Sequence, residues 1–285
     1  MNTSLIKFLK TELKWNILNI SCIEKIGGLS SENYKVSYNN NNYFVKICTD
    51  NYLHTDRNNE LSVINKAEEL NIAPHLYYFS TETGNMVSSW IHGNMPSLTD
   101  FSSIKFLHRL SDSLKSFHSL ECEKYFNPFE HIRKRITICK NLDLHLPESI
   151  DMLLNHLSAL EIKFTNDPLI RLCHNDLNAS NIILSNDNLY FVDYEYSSMG
   201  DVFFDLATIS WFFTEDSRKQ LLTLYFGEFK NEYYQKLLDY LFIIKFYNAT
   251  WSLVKSSSSK SDYDYLSGAN MIFKELLDHN SIRKF

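Results

Sequence analysis

Cys173-His174-Asn175-Asp176-Leu177-Asn178-Ala179-Ser180-Asn181-Ile182-Ile183-Leu184, followed by Tyr190-Phe191-Val192-Asp193-Tyr194-Glu195-Tyr196, is the stretch from which the rest of the chain is read. It holds the pattern H-x-D-x-x-x-x-N and, beyond it, an aspartate that ends a short apolar run. Phosphoryl transfer to a hydroxyl needs this set: one carboxylate to orient and deprotonate the acceptor, and a carboxamide with a second carboxylate to hold Mg²⁺ against the phosphates. In that reading Asp176 is the catalytic base. Asn181 and Asp193 are the metal ligands, supplying hard oxygens that suit Mg²⁺. Residues 182–184 and 189–192 read as short strands flanking Ser185-Asn186-Asp187-Asn188, a hairpin that would bring Asn181 and Asp193 together at one end. Taken singly, Asp193 ends a strand and His174 is a core histidine; the four groups at these spacings point to a nucleotide phosphotransferase.

HNDLNASNIIL and FVDYEYSSMGDVFFDLA resemble the choline kinase branch of the aminoglycoside phosphotransferase and choline kinase superfamily, in particular bacterial choline kinases that prepare phosphocholine for cell-surface glycans. The resemblance covers residues 20–275 and is most specific at 173–207. It implies an α+β, two-lobed protein-kinase-like fold, with a β-rich N-lobe over residues 1–92, a mainly helical C-lobe over 93–285, and ATP with Mg²⁺ in the cleft. Asp193-Tyr194-Glu195-Tyr196 stands where protein kinases carry D-F-G, and no A-P-E marker follows, which argues for a small-molecule acceptor. Within the resemblance, Asn178, Glu195 and Tyr196 match substrate-side positions. Asp205 matches a buried aspartate that braces the catalytic loop, with His174 as further structural support.

Residues 246–253, Phe-Tyr-Asn-Ala-Thr-Trp-Ser-Leu, resemble the family's W-x-x-W-[SA]-[LI] helix, which supplies an aromatic cage. A quaternary ammonium has no N–H to donate, so its recognition relies on aromatic faces and a nearby carboxylate. Trp251 falls on the second tryptophan. Asn248 replaces the first, leaving Tyr247, Tyr196 or Trp211 as candidate replacement faces, and Tyr263 and Tyr265 resemble tyrosines near the C-terminal helices. Choline, ethanolamine, thiamine and aminoglycosides all stay open as acceptors. A pseudokinase binding module is the reading from another class, but the polar groups an active kinase needs are all present.

Working outward, Gly27-Gly28-Leu29-Ser30-Ser31-Glu32-Asn33 interrupts two strand-like runs and is similar to the family's G-G-x-[ST]-N-x-x-[YF] loop. Glycine permits close backbone approach to a phosphate, and Ser30, Ser31 and Asn33 add donors beside Gly28. Asn39-Asn40-Asn41-Asn42 reads as a hairpin tip. In Tyr43-Phe44-Val45-Lys46-Ile47-Cys48 a lysine lies inside an apolar strand, and the α- and β-phosphates of a nucleotide are the expected partner of its ammonium. A helix from Asp56 to Leu70 offers Glu60 as the protein partner of Lys46, in an R-x-x-E pattern with Arg57, and puts Leu61, Ile64, Ala67 and Leu70 on one face. A second hairpin, 76–79 with 86–91, leads into an interlobe hinge whose backbone at Ser89, Trp90 and Ile91 is expected to hydrogen-bond adenine. Beyond it Phe106, Leu107, Leu110, Leu114 and Phe117 share one helix face. Arg133-Lys134-Arg135 reads as a solvated helix face.

Composition agrees. The 285 residues are 44% apolar and 14% aromatic, enough for a substantial core. A formal charge of -6, from 34 acidic and 28 basic residues, gives no basic footprint for nucleic acid. The five cysteines are odd in number and widely spaced, against a disulfide framework or a zinc site. Residues 1–15 read as an amphipathic helix and not a signal peptide, and no apolar run reaches membrane-spanning length, so the expectation is a cytoplasmic protein without membrane or nucleic-acid partners. Oligomeric state has no signature in the sequence.

Overall fold

The computed structural model describes residues 3–27, 31–48, 56–186, 188–259 and 263–282. The chain opens with α1 (Thr3–Thr11), whose Leu5, Phe8 and Leu9 are buried against one face of a sheet at Tyr34, Val36, Val45 and Val87. Burying each large apolar side chain contributes roughly 1.5–3 kcal/mol, which favours holding the helix on the sheet. The sheet is antiparallel and five-stranded, formed by β1 (Ile20–Ile26), β2 (Ser31–Tyr38), β3 (Asn41–Cys48), β4 (Leu76–Phe79) and β5 (Met86–Ser89) in the order β1-β2-β3-β5-β4. The asparagine run makes a tighter turn than its length suggests. Asn39 and Asn40 alone reverse the chain, both at positive φ (48° and 63°), while Asn41 and Asn42 already pair with Tyr38 and Ser37. Asparagine tolerates the left-handed region, which a two-residue hairpin turn needs at both positions.

α2 (Arg57–Glu69) starts at Asp56, whose carboxylate accepts from the Asn59 N–H and caps the helix. Its buried face is Glu60, Val63, Ile64 and Ala67. This corrects the face read from the sequence: Leu61 is only half-buried and Leu70 is exposed. The helix turns so that Glu60 points inward, and Arg57 makes that burial affordable by pairing with it at 2.6 Å.

The remainder is mainly helical. α3 (Ile104–His118) buries Phe106, Leu107, Leu110, Leu114 and Phe117, the face expected from their spacing. α4 (Pro128–Asn141) begins with proline at its first turn behind the cap Asn127, and α5 (Ile150–Thr165) follows. Between α5 and the C-terminal helices lie two small antiparallel pairs. β6 (Ile170–Cys173) pairs with β9 (Ser198–Asp201), and β7 (Ile182–Ser185) pairs with β8 (Asn188–Phe191) in the hairpin expected there. The chain closes with α6 (Phe203–Ile209), α7 (Glu215–Phe226), α8 (Asn231–Ser256) and α9 (Tyr265–Ile282). α8 is packed by α4, α6 and α9 and is buried on most sides over its middle turns.

The segment leaving β5 is pinned to the far lobe. Asn94 exchanges both backbone hydrogen bonds with Leu184 of β7, at 3.0 and 2.8 Å. Gly93 is required there, because a Cβ on it would lie 2.3 Å from the Leu184 carbonyl oxygen. Among the described residues no helix is long and apolar enough to cross a membrane.

Candidate active site

A cavity of about 940 Å³ lies between the sheet and the helical lobe, and it collects Lys46, Glu60, Asp176, Asn181, Asp193 and Glu195. Its floor is the loop after β6. Asp205, fully buried on α6, accepts from the His174 and Asn175 N–H groups at 2.6 and 2.8 Å, and its carboxylate also meets His118 Nε2 at 3.2 Å. His174 is buried too and bonds the Val192 carbonyl through Nε2 at 3.0 Å, tying this loop to the strand end before Asp193. Asn175, at φ 62°, completes the fastening: its amide donates to the Tyr196 carbonyl and to Ser198 Oγ, each at 3.0 Å. The sequence reading passed over Asn175. The one available signal was an asparagine at the variable position of H-x-D, where a residue tolerant of positive φ and able to hydrogen-bond is needed.

So held, Asp176 faces the cavity. Asn181 donates its amide to the Asp176 carboxylate at 2.9 Å and to its backbone carbonyl at 2.8 Å. Asn178 donates to the other carboxylate oxygen at 3.2 Å while its own carbonyl caps the turn at Ser180 N, so it orients Asp176 as well as lining the cavity. Burial first, and then the Asp193 charge, push the Asp176 carboxyl up to about 7, against the two amide donors.

Lys46 is 5% exposed within β3 and donates to Asp193 Oδ1 at 2.7 Å, with Glu195 at 3.9 Å. Here the expected Lys46–Glu60 pair is replaced. Glu60 takes the Arg57 guanidinium, which also reaches Glu195 at 3.9 Å, and Lys46 turns to the carboxylate across the cleft. Burial works against the Lys46 ammonium, but Asp193, Glu195 and Glu60 outweigh it and hold its pKa above the usual value. Burial would raise Asp193, yet Lys46 with its hydrogen bond keeps that carboxyl below its ordinary range. Glu195 lacks so close a cation; burial and the Asp193 charge push it up to about 7. The Asn181 side-chain Oδ1 and Asp193 Oδ2 take no hydrogen bond among the described residues, so two hard oxygens of the kind Mg²⁺ prefers face the cleft from adjoining chain segments.

Toward the sheet, Ser31 and Asn33 line the cavity; Asn33 donates to the Gly27 carbonyl at 3.0 Å. Gly28 and Ser30 lie outside the described residues. Ser89, Trp90 and Ile91 also line the cavity, but the expected adenine contacts narrow. The Ser89 N–H is taken by the His75 carbonyl and the Trp90 N–H by Asn42, which leaves Ile91 as the backbone donor of the three without a partner among the described residues.

At the other end, Tyr196, Tyr247, Asn248, Trp251 and Tyr265 line the wall. Trp251 and Tyr265 meet edge to face at 5.7 Å, and Tyr263 packs on Tyr265 at 4.9 Å. Trp211 is a correction, since it is absent from this wall. Its ring stacks on the 70% exposed Phe212 and lies under Lys245, and its carbonyl accepts from Arg218. The basic run on α4 is also only partly solvated. Lys134 faces water beside Glu130, whereas Arg135 turns in, lays its guanidinium 4.0 Å from the Tyr247 ring centre and donates to the Tyr247 carbonyl.

A buried lysine across from an aspartate, an asparagine beside a second aspartate, and an aromatic wall next to them are the parts of a phosphotransferase cleft on a two-lobed, protein-kinase-like fold. The model of the Choline/ethanolamine kinase family matches residues 23–236, and the chain belongs to that family. Protein LicA of Haemophilus influenzae is 34% identical over 106 residues, which span 36% of this chain and only 29% of that relative's length. In structure, a choline/ethanolamine kinase family protein from Mesorhizobium loti superposes with a TM-score of 0.82 at 19% identity, over 96% of this chain and 92% of the other. Choline kinase LicA from Streptococcus pneumoniae does so with 0.78 at 24% identity, over 96% and 98%. At these identities the two structures speak for the fold.

Proposed function

We propose that this protein is an ATP-dependent kinase that phosphorylates the hydroxyl of choline or a closely related amino alcohol. The observation that carries the reading is the convergence of Lys46, Asp176, Asn181 and Asp193 on one cavity beside an aromatic wall. In this reading the acceptor hydroxyl hydrogen-bonds Asp176, its oxygen bonds to the γ-phosphorus as the bridging P–O bond to ADP breaks, and its proton passes to the Asp176 carboxylate. A carboxyl near pH 7 suits that exchange at neutral pH. Lys46 leaves Asp193 to hold the α- and β-phosphates, freeing that carboxylate. Asn181 and Asp193 would hold Mg²⁺, which when bound neutralises charge developing on the phosphates. Glu195, Tyr196, Tyr247 and Trp251 would receive the acceptor's cationic end. In this reading the lobe boundary lies at 92/93, a division supported by the docking of Gly93 and Asn94 on β7, and the enzyme works in the cytoplasm.

ADP release with choline, ethanolamine, thiamine and an aminoglycoside tests the acceptor. Highest kcat/KM for choline, lost in Asp176→Ala, is expected. A preference for another acceptor overturns the substrate, and turnover retained by Asp176→Ala overturns the assigned base.

A further inference from the structure

α8 turns Tyr247, Asn248, Trp251 and Lys255 toward the acceptor end of the cavity, at positions spaced so that they share one helix face. Two of these carry a protein cation on their aromatic ring. Arg135 covers Tyr247 at 4.0 Å and is locked there by its hydrogen bond to the Tyr247 carbonyl. Lys255, one turn beyond Trp251 and half-buried, holds its ammonium 5.9 Å from the Trp251 ring centre. Tyr265 meets the same ring in a T-shaped contact. An ammonium over an aromatic face is held by the same attraction that would hold a cationic acceptor, so the two compete for one surface. Arg135 is held by both a ring contact and a hydrogen bond to the same residue, whereas the Lys255 ammonium is carried on a longer four-carbon stem.

Resting on the choline reading above, we propose that Lys255 is a specificity-determining residue of the acceptor site: its ammonium occupies the Trp251 face that a cationic acceptor must take, so binding requires Lys255 to swing away. Lys255 thereby weakens the enzyme's hold on quaternary ammonium groups and adds like-charge repulsion when both cations share the site. The asparagine at 248 deepens the effect, because no second tryptophan offers an alternative face.

The test is a charge series at one position, Lys255→Arg, Lys255→Met and Lys255→Glu, in the full-length protein. The KM for choline should fall about fivefold in the methionine variant and further in the glutamate variant, and stay near wild type in the arginine variant, with the KM for ATP unchanged throughout. A choline KM that is flat across the series, or that rises in the methionine variant, overturns the proposal. Calorimetric titration with tetramethylammonium, which needs no turnover, keeps the two readings separable. If neither wild type nor variants phosphorylate an amino alcohol, the kinase reading fails, while tighter tetramethylammonium binding by Lys255→Met than by wild type still supports the competition. Equal or weaker binding refutes it.

Discussion

Lys46→Met removes an ammonium that faces Asp193 at 2.7 Å and Glu195 at 3.9 Å, and leaves the apolar stem of β3 nearly as well packed as before. Breaking a buried ion pair from one side costs about 3–5 kcal/mol, because the orphaned charge stays buried. Asp193 keeps 36% of its side chain exposed, so solvent screening puts this case at the low end, about 3 kcal/mol. For a chain of this size that corresponds to a fall in Tm of roughly 6 °C. The loss should depend on pH with a definite sign. Glu195, raised from 4.5 to about 7, already holds its proton more tightly folded than unfolded, so its contribution is present below about pH 4.5 and is lost as pH rises through 7. Without Lys46 the carboxylates repel one another more strongly, so the penalty is largest above pH 7 and shrinks toward pH 5, where Glu195 is protonated. Thermal unfolding in EDTA at pH 5.5 and 8.5 measures it, and Lys46→Met/Asp193→Asn should regain about half of the loss at the higher pH. A penalty equal at both pH values, and not relieved in the double variant, would refute the electrostatic account and leave only lost packing.

Asp176→Asn should abolish phosphate transfer and stabilise the metal-free protein at alkaline pH. A carboxyl raised from 3.8 to about 7 costs the folded state up to about 4 kcal/mol once ionised, offset by about 1 kcal/mol for the hydrogen bond that an amide cannot accept from both Asn178 and Asn181. Unfolding at pH 8.5 should show a higher Tm than wild type and the gain should vanish near pH 4; a lower Tm at pH 8.5 would contradict it. Trp251→Ala should raise the KM for choline roughly 3- to 30-fold and leave the KM for ATP within about twofold, from an aromatic contact worth about 0.5–2 kcal/mol. Equal losses for both substrates, or a collapsed Tm, would place Trp251 in the core.

The chemistry was legible where it is local. His174, Asp176, Asn181 and Asp193 lie in one short stretch whose β7–β8 hairpin follows from two short apolar runs around a polar turn, and Asn39 and Asn40 announce their turn by tolerance of positive φ. Contacts across the chain were not. Lys46 and Asp193 are 147 positions apart, and nothing in either neighbourhood tells that the lysine prefers Asp193 to Glu60. The buried face of α2 was misjudged because it was read from the apolar residues Leu61, Ile64, Ala67 and Leu70 alone, whereas the inward side also carries Glu60, which Arg57 neutralises. Trp211 was assigned to the cavity by residue type, yet the turn after α6 directs it toward Lys245. Lys255 gave no signal, since a lysine in a helix's last turn is ordinary; only its place over Trp251 sets it apart.

Phosphorus NMR of a reaction with ATP, Mg²⁺ and choline tests the central claim most directly, because it identifies the product and not merely the loss of ATP. Wild type should give phosphocholine and ADP in equal amounts. Asp193→Ala, lacking one of the two assigned metal-holding oxygens, should give neither above background. Phosphocholine formed at the wild-type rate by Asp193→Ala, or ADP with inorganic phosphate and no phosphocholine from wild type, would contradict the account.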